Sequence, residues 1–269
     1  MENVLTSEGL HFGYHNRNIV ENFGLSIRKG EMASIVGPNG SGKSTVLRLL
    51  TRLVRPNKGI VYLEGEAIAL MNTKQVARKL TMLPQTQDPN LDLTVRDLVK
   101  QGRHPHLKWY EECRNEHEDA VDWALQMTDM TKLQHRSLYT LSGGERQRAW
   151  IAMAVAQTPH TLLLDEPTTY LDVAHQLEVM ELLQFLNRKQ GITIVMVMHD
   201  LNQASRYSDR IIAMKDGKLV SQGSPAEVFL PDFFSQVFGI EANVYEDEGK
   251  PVYTPRGLAI SRKWEELHV

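Results

Sequence analysis

The period of apolar and polar positions changes along the chain. Over residues 1–85 short apolar runs alternate with turn signals, and residues 32–36 (Met-Ala-Ser-Ile-Val) end directly on a glycine-rich segment. That order predicts strand, loop and then helix. From Leu93 to Gln157 the spacing becomes helical, with Val95, Leu98 and Val99, then Ala120, Trp123, Ala124 and Met127 on repeating faces. Residues 162–164 and 192–198 are short, nearly continuous apolar runs of the kind buried on both faces of a parallel sheet, with a helix expected over about 174–190 between them. The chain thus reads as an α/β core interrupted by an inserted helical segment. Beyond residue 219, Pro225, Pro231, Pro251 and Pro255 break up regular structure. There Val244-Tyr245 and Pro251-Val252-Tyr253 flank Asp247-Glu248-Gly249, which predicts a hairpin in a small C-terminal appendage.

Composition narrows this picture. A chain of 269 residues, 42% hydrophobic and 23% charged, has length for one large domain, or for one domain with an appendage. The formal net charge is -3, and Lys and Arg are scattered, so no electrostatic footprint for nucleic acid is visible. The single cysteine, Cys113, excludes an internal disulfide, fits a reducing compartment and is expected to be a small side chain on a helix. Met1-Glu2-Asn3-Val4 lacks the basic segment and apolar run of a secretory signal, so a cytoplasmic location is expected. The longest apolar run, 192–198, falls far below the roughly 18 residues that cross a bilayer. Any membrane pathway must therefore come from another chain.

Candidate chemistry begins at Gly37-Pro38-Asn39-Gly40-Ser41-Gly42-Lys43-Ser44-Thr45, which matches the phosphate-binding loop pattern between a predicted strand and a Leu-rich helix. Its glycines let backbone N–H groups turn inward around a phosphate, and the helix starting near Lys43 adds the positive end of its dipole. The Lys43 ammonium reaches terminal phosphates and the Ser44 hydroxyl can serve Mg²⁺. Residues 162–166 (Leu-Leu-Leu-Asp-Glu) form a strand ending in two carboxylates, at the rim where open α/β sheets place ligand chemistry. Asp165 suits Mg²⁺, while Glu166 is placed to orient or deprotonate the water attacking a γ-phosphate. His199 closes the next apolar strand on that rim, and Gln85 offers an amide oxygen to Mg²⁺ or water.

A second anion cradle is expected at Leu141-Ser142-Gly143-Gly144-Glu145-Arg146-Gln147-Arg148, read as preceding a helix that begins at Ala149 and Trp150. One nucleotide has no need of two cradles so far apart in the chain, so a site shared between two subunits is the economical explanation.

Together these residues resemble the nucleotide-binding subunits of ABC transporters, in order, from Tyr14 to about Gly223. The resemblance implies a P-loop NTPase fold with a RecA-like core, an antiparallel β subdomain and an inserted helical subdomain. By that likeness residues 1–223 form the nucleotide-binding domain, with the helical insertion over about 93–157, and 224–269 the appendage. It also implies that 37–45 is Walker A, Gln85 the Q-loop and 141–147 the signature. Residues 162–166 then correspond to Walker B with its catalytic glutamate, Leu171-Asp172 to the D-loop and His199 to the switch histidine. Tyr14 stands where the family keeps an aromatic that stacks on adenine, whereas Phe12 is expected in the core. Glu145 departs from the Gln most frequent in the signature, a variant common among importers. The implied cofactors are ATP and Mg²⁺. The implied partners are integral-membrane permease subunits, a second copy of this chain or a close paralogue, and, indirectly, an extracytoplasmic substrate-binding protein. Nucleic acid is not among them. The subunit would sit peripherally on the cytoplasmic face of the cell membrane.

The stretches 101–106 (Gln-Gly-Arg-His-Pro-His), 146–154 and 168–176 resemble the ATPases of importers for iron-siderophores, haem and cobalamin, and 168–176 looks most like ferric-siderophore systems. His104 and His106 lack an evident third metal ligand and are expected to make surface contacts toward the membrane partner. Two other classes stay open at this point. A soluble ABC ATPase acting on ribosomes or DNA is opposed by the single cassette and the lack of a long heptad insertion. A P-loop kinase leaves the Ser142 turn and His199 without a purpose.

Overall fold

The structure is a computed structural model that describes residues 2–14, 17–85, 91–107 and 115–259. Cys113, expected on a helix, lies outside the described residues.

The chain opens with two long antiparallel strands, β1 (Asn3–Tyr14) and β2 (Arg17–Arg28), followed by β3 (Met32–Val36) and helix α1 (Lys43–Leu50). Strands β4 (Lys58–Leu63) and β5 (Glu66–Ala67) lead to α2 (Thr73–Lys79) and β6 (Leu80–Leu83). The helical insertion comprises α3 (Val95–Gln101), α4 (Asn115–Met127) and α5 (Gly143–Ala156). The core resumes with β7 (Thr161–Asp165), α6 (Val173–Gln190), β8 (Thr193–Val197), α7 (Leu201–Tyr207), β9 (Arg210–Lys215) and β10 (Lys218–Gly223). Two short helices, α8 (Pro225–Val228) and α9 (Pro231–Phe233), and a π-turn over Phe234–Phe238 precede the hairpin β11 (Ile240–Asp247) and β12 (Lys250–Leu258).

These strands form a four-stranded antiparallel sheet in the order β2-β1-β4-β5 and a six-stranded sheet in the order β10-β9-β3-β8-β7-β6. The second sheet is parallel except for its β9–β10 edge. Every residue of β3, β7 and β8 is buried, because side chains of successive residues point to opposite faces and both faces are covered. Leu162, Leu164, Ile194 and Met196 face a core shared with α3 to α6. Leu163, Val195 and Val197, one step out of phase, face a second core shared with α1 and the antiparallel sheet.

Helix α6 shows why its ends fall where they do. Asp172 caps its start by accepting from His175 N, Arg188 and Lys189 sit in its last turn, and Gly191 at φ 69° ends it. Its buried Val179, Met180, Leu183 and Leu186 recur at helical spacing and pack into the first core.

The C-terminal hairpin is docked. Phe229, Phe233 and Phe234 belong to the first core, and the Phe234 ring stacks on Tyr253 with centroids 4.6 Å apart. Tyr253 N donates to Asn202 Oδ1 at 3.0 Å, Asn202 Nδ2 donates to Tyr253 O at 3.3 Å, and Ser205 Oγ donates to Pro251 O at 2.6 Å. These bonds hold β12 along α7, directly after His199.

Candidate functional site

The sheet order decides what meets at its rim. Because β3, β8, β7 and β6 are parallel neighbours, the residues that follow them emerge side by side at their C-terminal ends. Those residues are the 37–45 loop after β3, His199 after β8, Asp165 and Glu166 at the end of β7, and Gln85 after β6.

The loop is pressed close to β9. Gly37 has φ 151°, and a Cβ there would stand 2.1 Å from Met214 O, so only glycine fits. On the other side Ile19 O and the Val20 side chain of β2 lie against Gly42. Gly42 caps α1 without any side-chain hydrogen bond, which leaves the first turn's N–H groups to be satisfied by something other than a side chain. Lys43 Nζ lies over the loop, donating to Gly37 O at 2.8 Å and Pro38 O at 3.0 Å. Burial pushes its ammonium below the usual lysine range, and the charges of Glu166 and Asp165 oppose that shift. Ser41 is buried, and its hydroxyl has no protein partner.

Ser44 Oγ donates to Asp165 Oδ1 at 2.8 Å. Burial raises the Asp165 carboxyl above its usual range, with Glu166 adding to the rise and the Ser44 bond, Arg48 and Lys43 opposing it. A hydroxyl and a carboxylate converging in a place that penalises uncompensated negative charge are the hard oxygen donors that suit Mg²⁺. Among the described residues no group of three or more His, Cys, Asp or Glu is placed to hold a metal ion.

Glu166 is the hub. Its backbone takes φ 55°, a left-handed conformation that costs a non-glycine residue about 1–3 kcal/mol. Its carboxylate accepts from Gln85 Nε2 and Thr169 Oγ1, the latter at 3.0 Å, and pairs with His199 Nε2. Gln85 bonds through its amide nitrogen, which keeps its amide oxygen for another partner. The Glu166 side chain is 10% exposed and that of His199 41%. Thr169 was not singled out as a site residue from the sequence. Its signal is local, a hydroxyl three residues after the glutamate, on a turn closed by Thr169 N to Glu166 O at 3.3 Å.

Tyr14 ends β1 opposite Arg17, in the hairpin whose Ile19 reaches Gly42. It is 54% exposed, and its ring meets buried Phe12 edge-on at 4.9 Å. Phe12 is a core residue, as expected, and Tyr14 is exposed beside it.

The second cradle differs from the sequence expectation. Helix α5 begins at Gly143 and not at Ala149, so Ser142 is its N-cap and most of the motif is helical. The reason is a reciprocal cap: Ser142 Oγ accepts from Glu145 N at 3.2 Å, and Glu145 Oε2 accepts from Ser142 N at 2.8 Å. That backbone bond holds the Glu145 carboxyl below its usual range. Gly144 packs against α6; a Cβ on it would stand 2.2 Å from His175 Cδ2. Asp172 Oδ1 accepts from both His175 N and Nδ1, so within this chain it is a helix cap. Among the described residues, no hydrogen bond joins Ser142, Gly143, Gly144, Glu145 or Asp172 to the 37–45 loop or to Glu166.

His104 is exposed and bonds Gln101 Oε1 at 2.8 Å, while half-buried His106 bonds Gln157 O at 2.9 Å, and burial lowers its pKa. A cavity of about 1020 Å³ lies elsewhere, between α2, β4 and the end of α1, and no site residue lines it.

The family profile for ABC transporters matches residues 20–169. The petrobactin import ATP-binding protein FpuC of Bacillus anthracis is 48% identical over 95% of this chain and 94% of its own length. The iron(3+)-hydroxamate import ATP-binding protein FhuC of Bacillus subtilis is 48% identical over 93% and 94%, and the ferric enterobactin transport ATP-binding protein FepC of Escherichia coli is 45% identical over 94% of each. Among solved structures, a chain of an inward-facing ABC transporter assigned to the metal-chelate type superposes with TM-score 0.83 at 26% identity, covering 95% of this chain and 98% of that one. The dimeric ABC cassette MJ0796 gives TM-score 0.69 at 30% identity, over 82% and 98%. With the glycine loop, the paired carboxylates and the second glycine turn in the family's order, the chain belongs to the ABC transporter family, as one of its ATP-binding, ATP-hydrolysing subunits.

Proposed function

We propose that this chain energises uptake of an iron(III)–siderophore complex through a separate permease. The observation that carries the ATPase half is the convergence of Gln85, Thr169 and His199 on the Glu166 carboxylate, at the rim that also holds Lys43, Ser44 and Asp165. The cargo half is supported by relatives whose names specify petrobactin, iron(3+)-hydroxamate and ferric enterobactin.

In this reading the backbone of Gly37, Pro38, Asn39, Gly40, Ser41, Gly42, Lys43, Ser44 and Thr45 wraps the phosphates of ATP, with the Lys43 ammonium on the terminal ones. Tyr14 stacks on adenine. Ser44, Asp165 and the Gln85 amide oxygen hold Mg²⁺, which when bound neutralises phosphate charge. Glu166 orients the attacking water and takes its proton, and His199 fixes the Glu166 carboxylate and contacts the γ-phosphate. Ser142, Gly143, Gly144 and Glu145, with Asp172, serve the nucleotide of a second copy or close paralogue, so each complete site needs two subunits.

Residues 1–223 are the nucleotide-binding domain and 224–269 its appendage. Among the described residues no helix is long and apolar enough to cross a membrane. In this reading the subunit works peripherally, on the cytoplasmic face of permease subunits like those its importer relatives serve, with an extracytoplasmic binding protein delivering cargo to them.

The test is Glu166→Gln, expected to keep ATP binding, slow turnover by about 10²–10⁴ and trap an ATP-bound dimer. Unimpaired turnover would overturn the assignment. Uptake of labelled ferric siderophore, haem and cobalamin, with and without this substitution, tests the cargo: loss confined to haem or cobalamin would replace the siderophore.

A further inference from the structure

Glu166 and His199 stand on separate turns after separate strands, and their contact is one end of a closed circuit. At the other end, Gln176 in the first turn of α6 donates through Nε2 to Leu171 O at 3.0 Å and Thr168 O at 3.4 Å, so it grips the turn that carries Glu166. Its Oε1 accepts from Gln203 Nε2 at 2.7 Å. Gln203 in turn donates its backbone N–H to Asp200 Oδ1 at 3.0 Å, and Asp200 directly follows His199. The circuit therefore runs from Glu166 through Thr169 and Leu171 to Gln176, across to Gln203, back through Asp200 to His199, and closes on Glu166.

The orientation of both amides is determined by their partners. Two backbone carbonyls face the Gln176 nitrogen, so its oxygen must face Gln203, whose nitrogen must then be the near atom. That choice leaves Gln203 Oε1 buried without a partner, a cost that the crosslink must offset. The circuit also encloses the left-handed backbone of Glu166, a conformation that persists only where its surroundings over-determine it.

We infer that Gln176 is a positioning residue for hydrolysis, setting the spacing between Glu166 and His199 by crosslinking their two turns through Gln203. The inference rests on the roles proposed for those two residues. The Gln176 side chain bonds Thr168 O, Leu171 O and Gln203, none of them in the 37–45 loop, so its loss is expected to act on turnover and to leave nucleotide binding alone.

The experiment compares Gln176→Ala and Gln203→Ala, singly and together, in the wild-type and His199→Ala backgrounds, with radiolabelled ATP to reach slow rates. Each single variant is expected to lower kcat about tenfold with KM for ATP changed less than about twofold, as loss of geometry without loss of binding requires. The double variant is expected to match either single one, since one crosslink is broken in each case. In the His199→Ala background the further loss should shrink below about twofold, because the partner being positioned is gone. Wild-type kcat in Gln176→Ala, additive losses in the double variant, or an undiminished loss in the His199→Ala background would overturn the inference. If Gln176→Ala unfolds, Gln176→Glu keeps the acceptor for Gln203 and removes both donors, and wild-type kcat in that variant overturns it equally. Normal turnover in His199→Ala alone would overturn the underlying site reading; a silent Gln176→Ala beside impaired His199→Ala overturns only this inference.

Discussion

Two helices of this chain start at glycine-rich turns, and they treat their first N–H groups in opposite ways. Helix α1 starts at Gly42 with no side-chain cap and no acidic residue in its first turn, and Lys43 beside it is buried. Helix α5 starts at Ser142, is closed by the reciprocal Ser142–Glu145 cap, and carries a carboxylate at its positive end. The first start is prepared for an anion, with donors and a cation and nothing to compete. The second satisfies itself and sets a negative charge where a phosphate would come. In the proposed function this difference would let the first turn bind nucleotide alone and the second engage it only within a site shared between two subunits.

The comparison is broken most severely at Lys43. Lys43→Ala is expected to weaken ATP binding to the isolated subunit by about ten- to a hundredfold, the equivalent of about 1.5–3 kcal/mol for a charge-assisted bond, measured by titration with a fluorescent ATP analogue. Equal binding by the variant would mean that the α1 turn is not the primary cradle. Ser142→Ala is expected to leave that binding unchanged while costing about 1 kcal/mol of stability through the lost cap, seen as a drop of a few degrees in Tm. If it weakens ATP binding to the monomer instead, the two turns do not divide the work.

Smaller effects sharpen the same contrast. Glu145→Gln removes the negative charge at the start of α5 and should lower the ATP concentration that assembles the Glu166→Gln dimer by about two- to fivefold, corresponding to about 0.4–1 kcal/mol. Light scattering against ATP concentration reads this, and a higher requirement would show that the carboxylate helps. The smallest effect is in pH. Because the folded-state pKa of Glu145 is held below its unfolded value, the stability it contributes is fully present above the ordinary carboxylate range and is lost as pH falls through the lowered value. The Tm difference between wild type and Glu145→Gln should therefore stay constant from neutral pH down to that range and close below it.

Much of this was legible in the sequence where the signal is local. Residues 32–36 became β3, the helix expected from about 174 begins at Val173 and ends at Gln190, and Asp247-Glu248-Gly249 makes the hairpin turn with Glu248 at φ 48° and Gly249 at φ 77°. The start of α5 was misread because two glycines look like a loop, whereas Ser142 and Glu145 at capping-box spacing were the stronger local signal. Pairings between distant segments left no such trace. Nothing near Gln176 or Gln203 announces that the two side chains meet, because their contact depends on how β7 and β8 align.

The clamp of β12 on α7 has a consequence for the order in which the protein is made. Lys43, Asp165, Glu166 and His199 are all synthesised before residue 200, yet the helix that continues from His199 is held by Pro251 and Tyr253. During translation these residues therefore exist before the brace on the helix that follows His199, and that brace forms only once β12 is made.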